Sequence, residues 1–400
     1  MNSPQALIAG AGIGGLAAAL ACSRAGWQVR VFERAPAFSE VGAGIQLGPN
    51  VVKILQAWGL DEALAQVAAF PAQLEVRSAL TGEVLATLRL GDQAVQRYGA
   101  PYATLHRADL HQLLLNAVLA QTGVQIHLNT AVERFTQTPQ GVRLSTRQGV
   151  GATDELAQEA QGDALIAADG LWSGVRAQLL GDGLPRATGH LAYRALLQQS
   201  ELPARLRSNQ ITVWLGPKLH VVQYPVRRGE MLNVVAIIHG SISGDLQSWD
   251  HSSNADDLRA AFIGTCAPLQ TLMEAVPAWR LWVLHDRPPV RGADEMAQGR
   301  VALLGDATHP MRPYLAQGAG MAIEDAAGLG RLLTQGASDL PAQLQRYAAL
   351  RWQRNARVQA RALRNGDIFH LDGWPRWGRD TALKVFGERL VDLPWLYGAA

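Results

Sequence analysis

The sequence predicts an α/β fold: a parallel sheet wound with helices, interleaved with an antiparallel sheet and followed by a helical C-terminal region. Three observations carry that prediction. The apolar run Ala6–Ala9 leads through a cluster of glycines into the alanine-rich run Leu16–Ala25, the pattern of a buried strand turning sharply into a helix. Two further apolar runs, within 163–176 (DALIAADGLWSGVR) and 299–310 (GRVALLGDATHP), each end in an aspartate beside a glycine. Between about 185 and 285 the texture changes to alternating stretches, Gln210–Leu215, Leu219–Val226 and Leu232–His239, as in a sheet with one wet face.

Four hundred residues and 43.0 kDa favour two closely packed domains or one large α/β unit. Hydrophobic residues make up 48% and charged residues 18%, a balance that excludes a disordered tail or a solvated helical rod. The formal net charge of +2 is too small to draw a polyanion, so nucleic acid is not an expected partner. Two cysteines, Cys22 and Cys266, fit neither a disulfide framework nor a zinc site; a reducing compartment, the cytoplasm, is expected, and a metal is not. Residues 6–22 run without a charge at nearly the length of a membrane span. The glycines among them, and the lack of Lys or Arg in Met1–Gln5, argue against a span or a signal peptide, and no membrane partner is expected.

Gly10, Gly12 and Gly15 match the Rossmann-type dinucleotide fingerprint: a tight turn, a close backbone approach to a pyrophosphate, and close packing of helix on strand. The amides at the helix start then face the phosphates. A second strand, Gln28–Phe32, ends at Glu33, eighteen residues after Gly15, where a carboxylate meets ribose hydroxyls; Arg34 beside it is a further candidate contact. Asp169 and Asp306 close the two other apolar runs, at the strand ends where open α/β sheets collect ligands. The fingerprint alone serves NAD and FAD alike.

Together with the pairs Asp169-Gly170 and Gly305-Asp306, the fingerprint resembles the three motifs of the single-component FAD-dependent aromatic hydroxylases, the class A flavoprotein monooxygenases. Order and spacing match from about residue 5 to about residue 355. The resemblance implies non-covalent FAD, NADH or NADPH as co-substrate, and a small aromatic substrate hydroxylated with O2 through a flavin C4a-hydroperoxide. It makes Asp306 the partner of the ribityl hydroxyls, gives Asp169 a part in structuring the FAD site, and puts Arg107 near the FAD pyrophosphate. It lays the helix start at Gly318 and Ala319 against the pyrimidine edge of the isoalloxazine, where a helix N-terminus stabilises the reduced anion. His309 reads as a structural histidine before a proline. The absence of CxxC excludes a flavin disulfide reductase, and a single fingerprint leaves no separate Rossmann domain for the nicotinamide.

On an extended strand His220 and Tyr224, four apart, point to the same face, with Trp214 in the preceding strand. The pair resembles the His and Tyr of 3-hydroxybenzoate 6-hydroxylases and the related salicylate and 6-hydroxynicotinate hydroxylases. That implies His220 as base for a phenol and Tyr224 as a substrate contact. A phenol needs such a base, because its pKa of about 10 leaves little phenolate at pH 7. Gln46, with Gly44, falls in a family segment that lines flavin and substrate. Pro313 stands where the hydroxybenzoate enzymes tend to carry a glutamine, and Tyr314 where the hydroxynicotinate enzymes carry a histidine, so regiochemistry stays open.

This reading divides the chain into a discontinuous FAD-binding domain (1–70, 101–184 and 286–355), a substrate-binding sheet domain (71–100 and 185–285) and a helical tail (356–400). Arginines 346, 351, 354, 357, 361 and 364, with no acid among residues 341–366, read as a solvated helix face or a subunit contact, and a homodimer is the candidate assembly. Trp374, Pro375 and Trp377 suggest a packed tail. Two other functions stay open. One is an oxygenase for a non-phenolic substrate such as a polyketide or alkene, which needs no base at 220. The other is a non-enzymatic binding protein on the same fold, against which Asp306 and the Gln317–Gly320 loop argue.

Overall fold

A computed structural model describes residues 3–38, 43–149, 156–240, 255–334 and 339–398; Val41 and Gly42 of the segment around Gln46 lie outside them. Two units emerge, each assembled from three stretches of chain.

The first unit comprises 1–40, 110–186 and 286–362. Its six-stranded sheet runs in the order Ala297–Gln298, Val301–Leu303, Ala164–Ala167, Gln5–Ala9, Gln28–Phe32 and Val124–His127. All neighbours pair in parallel except the hairpin of the first two. Gln5–Ala9 lies in the middle with Ala6, Leu7 and Ile8 wholly buried, as the uninterrupted apolar run requires of a parallel strand covered on both faces. Strand order reverses on either side of it, the switch point where such sheets open a crevice at their carboxyl ends. The helices Ile13–Arg24 and Gly318–Leu333 approach closely because their facing residues are small. A Cβ on Gly330 would sit 2.9 Å from that of Ala21, and one on Gly14 would sit 3.0 Å from the Leu304 side chain.

The second unit comprises 41–109, 187–285 and 363–400. Its seven-stranded sheet has the order Arg280–Asp286, Arg186–Gln198, Met231–His239, Leu219–Val226, Ile211–Gly216, Gln73–Ser78 and Val84–Arg89. The three predicted strands lie within a residue of their expected bounds, but the sheet is mixed, since Ile211–Gly216 and Gln73–Ser78 run parallel. One face carries Trp214, Leu219, Val221, Leu232 and Val234 and is packed with Leu258, Phe262, Leu269 and Leu272. The opposite face is not wet, as the alternation predicted. His220 is 1% exposed, Tyr224 4% and Asn233 0%. The strand pair Gly44–Leu47 and Ala103–His106 lies against it, with Thr104 donating to the carbonyl of Pro225 and the Gly44 amide donating 2.7 Å to Asn233 Oδ1.

That contact explains a difference from the expected boundaries. Residues 41–70 and 101–109, assigned by sequence to the nucleotide unit, belong with the second sheet. The end of the chain is not a separate tail either: 363–400 is part of the second unit, and Trp374 and Trp377 are exposed at 86% and 63% rather than packed. Among the described residues no helix is long and apolar enough to cross a membrane.

Candidate active site

In the first unit the sequence fingerprint takes the conformation its glycines allow. Gly10 has φ +91°, in the left-handed region, and a Cβ there would meet the Ala168 carbonyl oxygen at 2.5 Å. A Cβ on Gly15 would overlap the carbonyl oxygen of Gly10, so helix and strand touch there. Gly12 faces open space, with nothing within 4 Å of an added Cβ, and it caps Ile13–Arg24 without a side-chain hydrogen bond, which leaves the helix-start amides to a ligand. Glu33, at the end of the neighbouring strand, accepts from the Ala11 amide (2.8 Å) and the Ala35 amide (2.9 Å), and Arg34 is exposed beside it.

Asp169 and Asp306 close the next two strands. Asp169 Oδ2 accepts from the Val175 amide at 3.2 Å, while its buried Oδ1 has no hydrogen-bond partner; burial pushes the carboxyl pKa up despite the hydrogen bonds it receives. Asp306 is exposed, and a Cβ on Gly318 would lie 3.9 Å from its Oδ1, so the acid stands beside the start of Gly318–Leu333 with Ala319 next in that helix. Pro313 and Tyr314 form the turn Pro313–Leu315 just before it; Tyr314 is buried and Pro313 exposed. His309 is wholly buried, its Nε2 2.5 Å from Asp325, while its buried Nδ1 has no hydrogen-bond partner.

In the second unit, register fixes which side chains share a face. His220 pairs with Ile237, Tyr224 with Asn233, and Val222 with Val235, which in turn pairs with Arg194. His220, Arg194 and Tyr224 therefore share one face, with Arg194's row midway between the other two. Trp214 pairs with Val221 and so lies on the opposite, core face, with Arg77 5.6 Å from its ring. Sequence alternation assigns faces within a strand; only register assigns them between strands. Gly44 is glycine because a Cβ would stand 2.5 Å from the Tyr224 ring. Gln46 accepts 2.8 Å from the Tyr102 hydroxyl and also hydrogen-bonds Tyr224, whose phenol burial holds well above its ordinary pKa. Arg107 opens the helix Arg107–Leu119, its amide donating to the Ala43 carbonyl.

Two features of this face were missed from the sequence. Arg194 carries its guanidinium 4.8 Å over the Trp282 ring, and its buried Nε makes no hydrogen bond. Burial, with Arg107 adding to it, depresses Arg194 to about 10, against an opposing pull from Tyr224. A lone cation in the apolar stretch LAYRALL was the available signal. The second is a histidine row. His220 Nδ1 lies 2.7 Å from His370 Nε2, and His370 Nδ1 lies 2.8 Å from His239 Nε2, with His190 stacked on His239 at 4.4 Å. Burial first, then His190, brings His220 down to about 3. As a base acting alone, such an imidazole meets a phenol across a gap on the order of 10 kcal/mol.

The description "FAD binding domain" matches residues 3–362. The chain belongs to this FAD-binding family. It is 38% identical over 396 residues to the 3-hydroxybenzoate 6-hydroxylase of Polaromonas naphthalenivorans (strain CJ2), covering 98% of this chain and 95% of that one. It is also 38% identical over 398 residues to the 6-hydroxynicotinate 3-monooxygenase of Bordetella bronchiseptica, covering 98% of each. Among solved structures, a salicylate hydroxylase substrate complex has a TM-score of 0.81 at 28% identity, over 100% of this chain and 96% of that one. The chain is an enzyme, an FAD-dependent aromatic-ring monooxygenase of this family with NAD(P)H as co-substrate. FAD fits the first unit on its own chemistry: an open glycine at 12, helix amides without side-chain caps, an unpartnered carboxylate oxygen at Asp169 and an exposed acid at Asp306.

Proposed function

We propose that this enzyme hydroxylates a small phenolic aromatic acid of the hydroxybenzoate, salicylate or hydroxynicotinate type, with His220 as the base and Tyr224 as a substrate contact. The observation that carries the reading is Arg194, a half-buried guanidinium on the face of His220 whose Nε is buried without a hydrogen bond and which pairs with no anionic side chain among the described residues. A cation held partly out of water is stabilised further by an anion, and a ring carboxylate meets a guanidinium bidentately. The rows of Arg194 and His220 are two strands and two residues apart, about 12 Å between backbones, a gap that an arginine side chain and a ring-sized acid bridge.

Within this reading Gly10, Gly12, Gly15, Glu33, Arg34, Arg107, Asp169 and Asp306 hold FAD, and Gly318 and Ala319 set its ring. Held by these residues, FAD would supply the redox chemistry by which NAD(P)H and O2 hydroxylate the ring. The protein's own part is to hold the carboxylate at Arg194, orient the ring through Tyr224, Gln46, Pro313 and Tyr314, and take the phenol proton at His220. The reading places the enzyme in the cytoplasm, where the unpaired Cys22 and Cys266 stay reduced, and makes a homodimer its assembly, which a measurement of its mass in solution tests.

The test is a panel of ring acids and their carboxamides, scored by stimulated NAD(P)H oxidation and by hydroxylated product. Acids should exceed their amides, and Arg194→Met should raise the KM for the acid about 10- to 150-fold, the value of one charge-assisted contact. Equal response to acid and amide would sink the reading. The depressed basicity of His220 favours a second one, oxygenation of a non-phenolic ring. Methoxybenzoates turned over as well as hydroxybenzoates would select it.

A further inference from the structure

We propose that His220, His370 and His239 form a relay that carries the proton of a bound phenol from the buried sheet face to water. The inference rests on His220 being the base. Three observations build it. The hydrogen bonds run head to tail, Nδ1 of His220 to Nε2 of His370 and Nδ1 of His370 to Nε2 of His239, at 2.7 and 2.8 Å. Exposure rises along the row, from 1% at His220 through 7% at His370 to the exposed His239. His370 meets each neighbour through a different ring nitrogen, and imidazole is the side chain whose two nitrogens exchange donor and acceptor roles between neutral tautomers, taking a proton on one and releasing one from the other.

The middle ring is held in place by its backbone. The Lys218 amide donates to the His370 carbonyl, and Arg379 Nη1 donates to the carbonyls of Ile368 and Phe369 at 3.1 and 2.8 Å. Phe369 packs edge-on against the His220 ring. Around the row stand His190, from the strand Arg186–Gln198, and Arg379, itself paired with Asp380, from the helix Gly373–Phe386. Both disfavour a charge resting on His370, which also sits low, at about 2, through burial and the other histidines. A base that cannot keep a proton is effective when it passes the proton on.

The step balances as follows. Each neutral ring begins with its hydrogen on Nδ1. The phenol O–H bond breaks, its electron pair stays on the phenolate oxygen, and the proton bonds to His220 Nε2. The Nδ1 proton of His220 moves to His370 Nε2, that of His370 to His239 Nε2, and that of His239 to water. No imidazolium remains, and every ring ends with its hydrogen on Nε2. Reprotonation of the hydroxylated product before release drives the hops backwards and resets the row. His370 and His239 are thus positioning and proton-conducting residues that act through His220.

The experiment mixes FAD-loaded enzyme with 3-hydroxy-4-nitrobenzoate below its phenolic pKa. The phenolate absorbs in the visible, and an indicator dye reports protons reaching water, so ionisation is read apart from turnover. His370→Gln should slow phenolate formation about 10- to 100-fold with ligand affinity unchanged. His239→Ala should slow it less and recover when imidazole is added. His370→Gln within twofold of wild type, with His220→Ala slow, overturns the relay and leaves the base; His220→Ala at the wild-type rate overturns both. If His370→Gln does not fold or retain FAD, His239→Ala, altered at an exposed ring, decides: a wild-type rate or no response to imidazole overturns the relay. Stoichiometric zinc in the purified holoenzyme also overturns it, because His190, His239 and His370 would then be ligands. Failure of the probe to bind counts against the phenolic-acid reading itself.

Discussion

Gly12 and Gly15 separate two jobs that one fingerprint performs. A Cβ at 15 collides with the Gly10 carbonyl, whereas a Cβ at 12 meets nothing in the protein and φ is an ordinary −71°. Gly15→Ala should therefore destabilise the apoprotein, while Gly12→Ala should leave its melting temperature within about 2 °C and weaken FAD binding at least tenfold, as measured by flavin fluorescence. Equal losses in both variants would mean that position 12 serves packing as well. At this scale the sequence was readable wherever a residue's role is set by its near neighbours. The glycines, Glu33, and the shared face of His220 and Tyr224 all follow from local geometry. Trp214 did not, because its face depends on which residue of the next strand it pairs with. His370 did not either, being 150 residues from the ring it bonds.

The long helix Leu340–Phe369 shows where periodicity stops being informative. Its arginine stripe reads correctly as a stripe, but spacing says which residues share a face and not what that face meets. Arg351 and Arg354 turn inward: Arg351 donates to Asp325 at 2.8 Å and Glu324 at 2.9 Å, and Arg354 to Glu324 at 2.6 Å. Arg346, Arg357 and Arg364 are exposed, so only part of the stripe is the expected solvated face. Asp325 is completely buried, and His309, Arg351 and Asn355 together hold its carboxyl below the ordinary range against the cost of burial. Arg351→Met leaves that charge under-compensated and should cost about 3–5 kcal/mol of stability in urea, whereas Arg346→Met, at an exposed position of the same helix, should cost under about 0.5 kcal/mol. Similar midpoints for the two would refute the inward assignment.

At the scale of the whole molecule, the histidine row makes stability sensitive to acid. His220 and His370 have folded-state values near 3 and 2, below the unfolded value of about 6.5, so the unfolded chain binds more protons between these limits. Stability is fully present above about pH 6.5 and falls as the pH drops, by about 1.4 kcal/mol per pH unit for each such ring. Melting temperature should decline between pH 6.5 and 5 in wild type and less steeply in His370→Gln; parallel slopes would show that other groups set the trend. The overall α/β class was legible, yet the unit boundaries were not, since Gly44–Leu47 is tied to its sheet by a contact with Asn233, 189 residues away. The central strand Gln5–Ala9 has a consequence for biosynthesis. It pairs with Ala164–Ala167, which pairs with Val301–Leu303, so its sheet closes only after some three-quarters of the chain has left the ribosome. At about 5–20 residues per second, this buried strand waits roughly 8–30 s for its last neighbour, Ala164–Ala167, and the sheet roughly 15–60 s for Val301–Leu303. During that interval the nascent chain is a natural client for chaperones that shield exposed strand edges, and yield on overexpression should follow their supply more closely than it follows the stability of the finished fold.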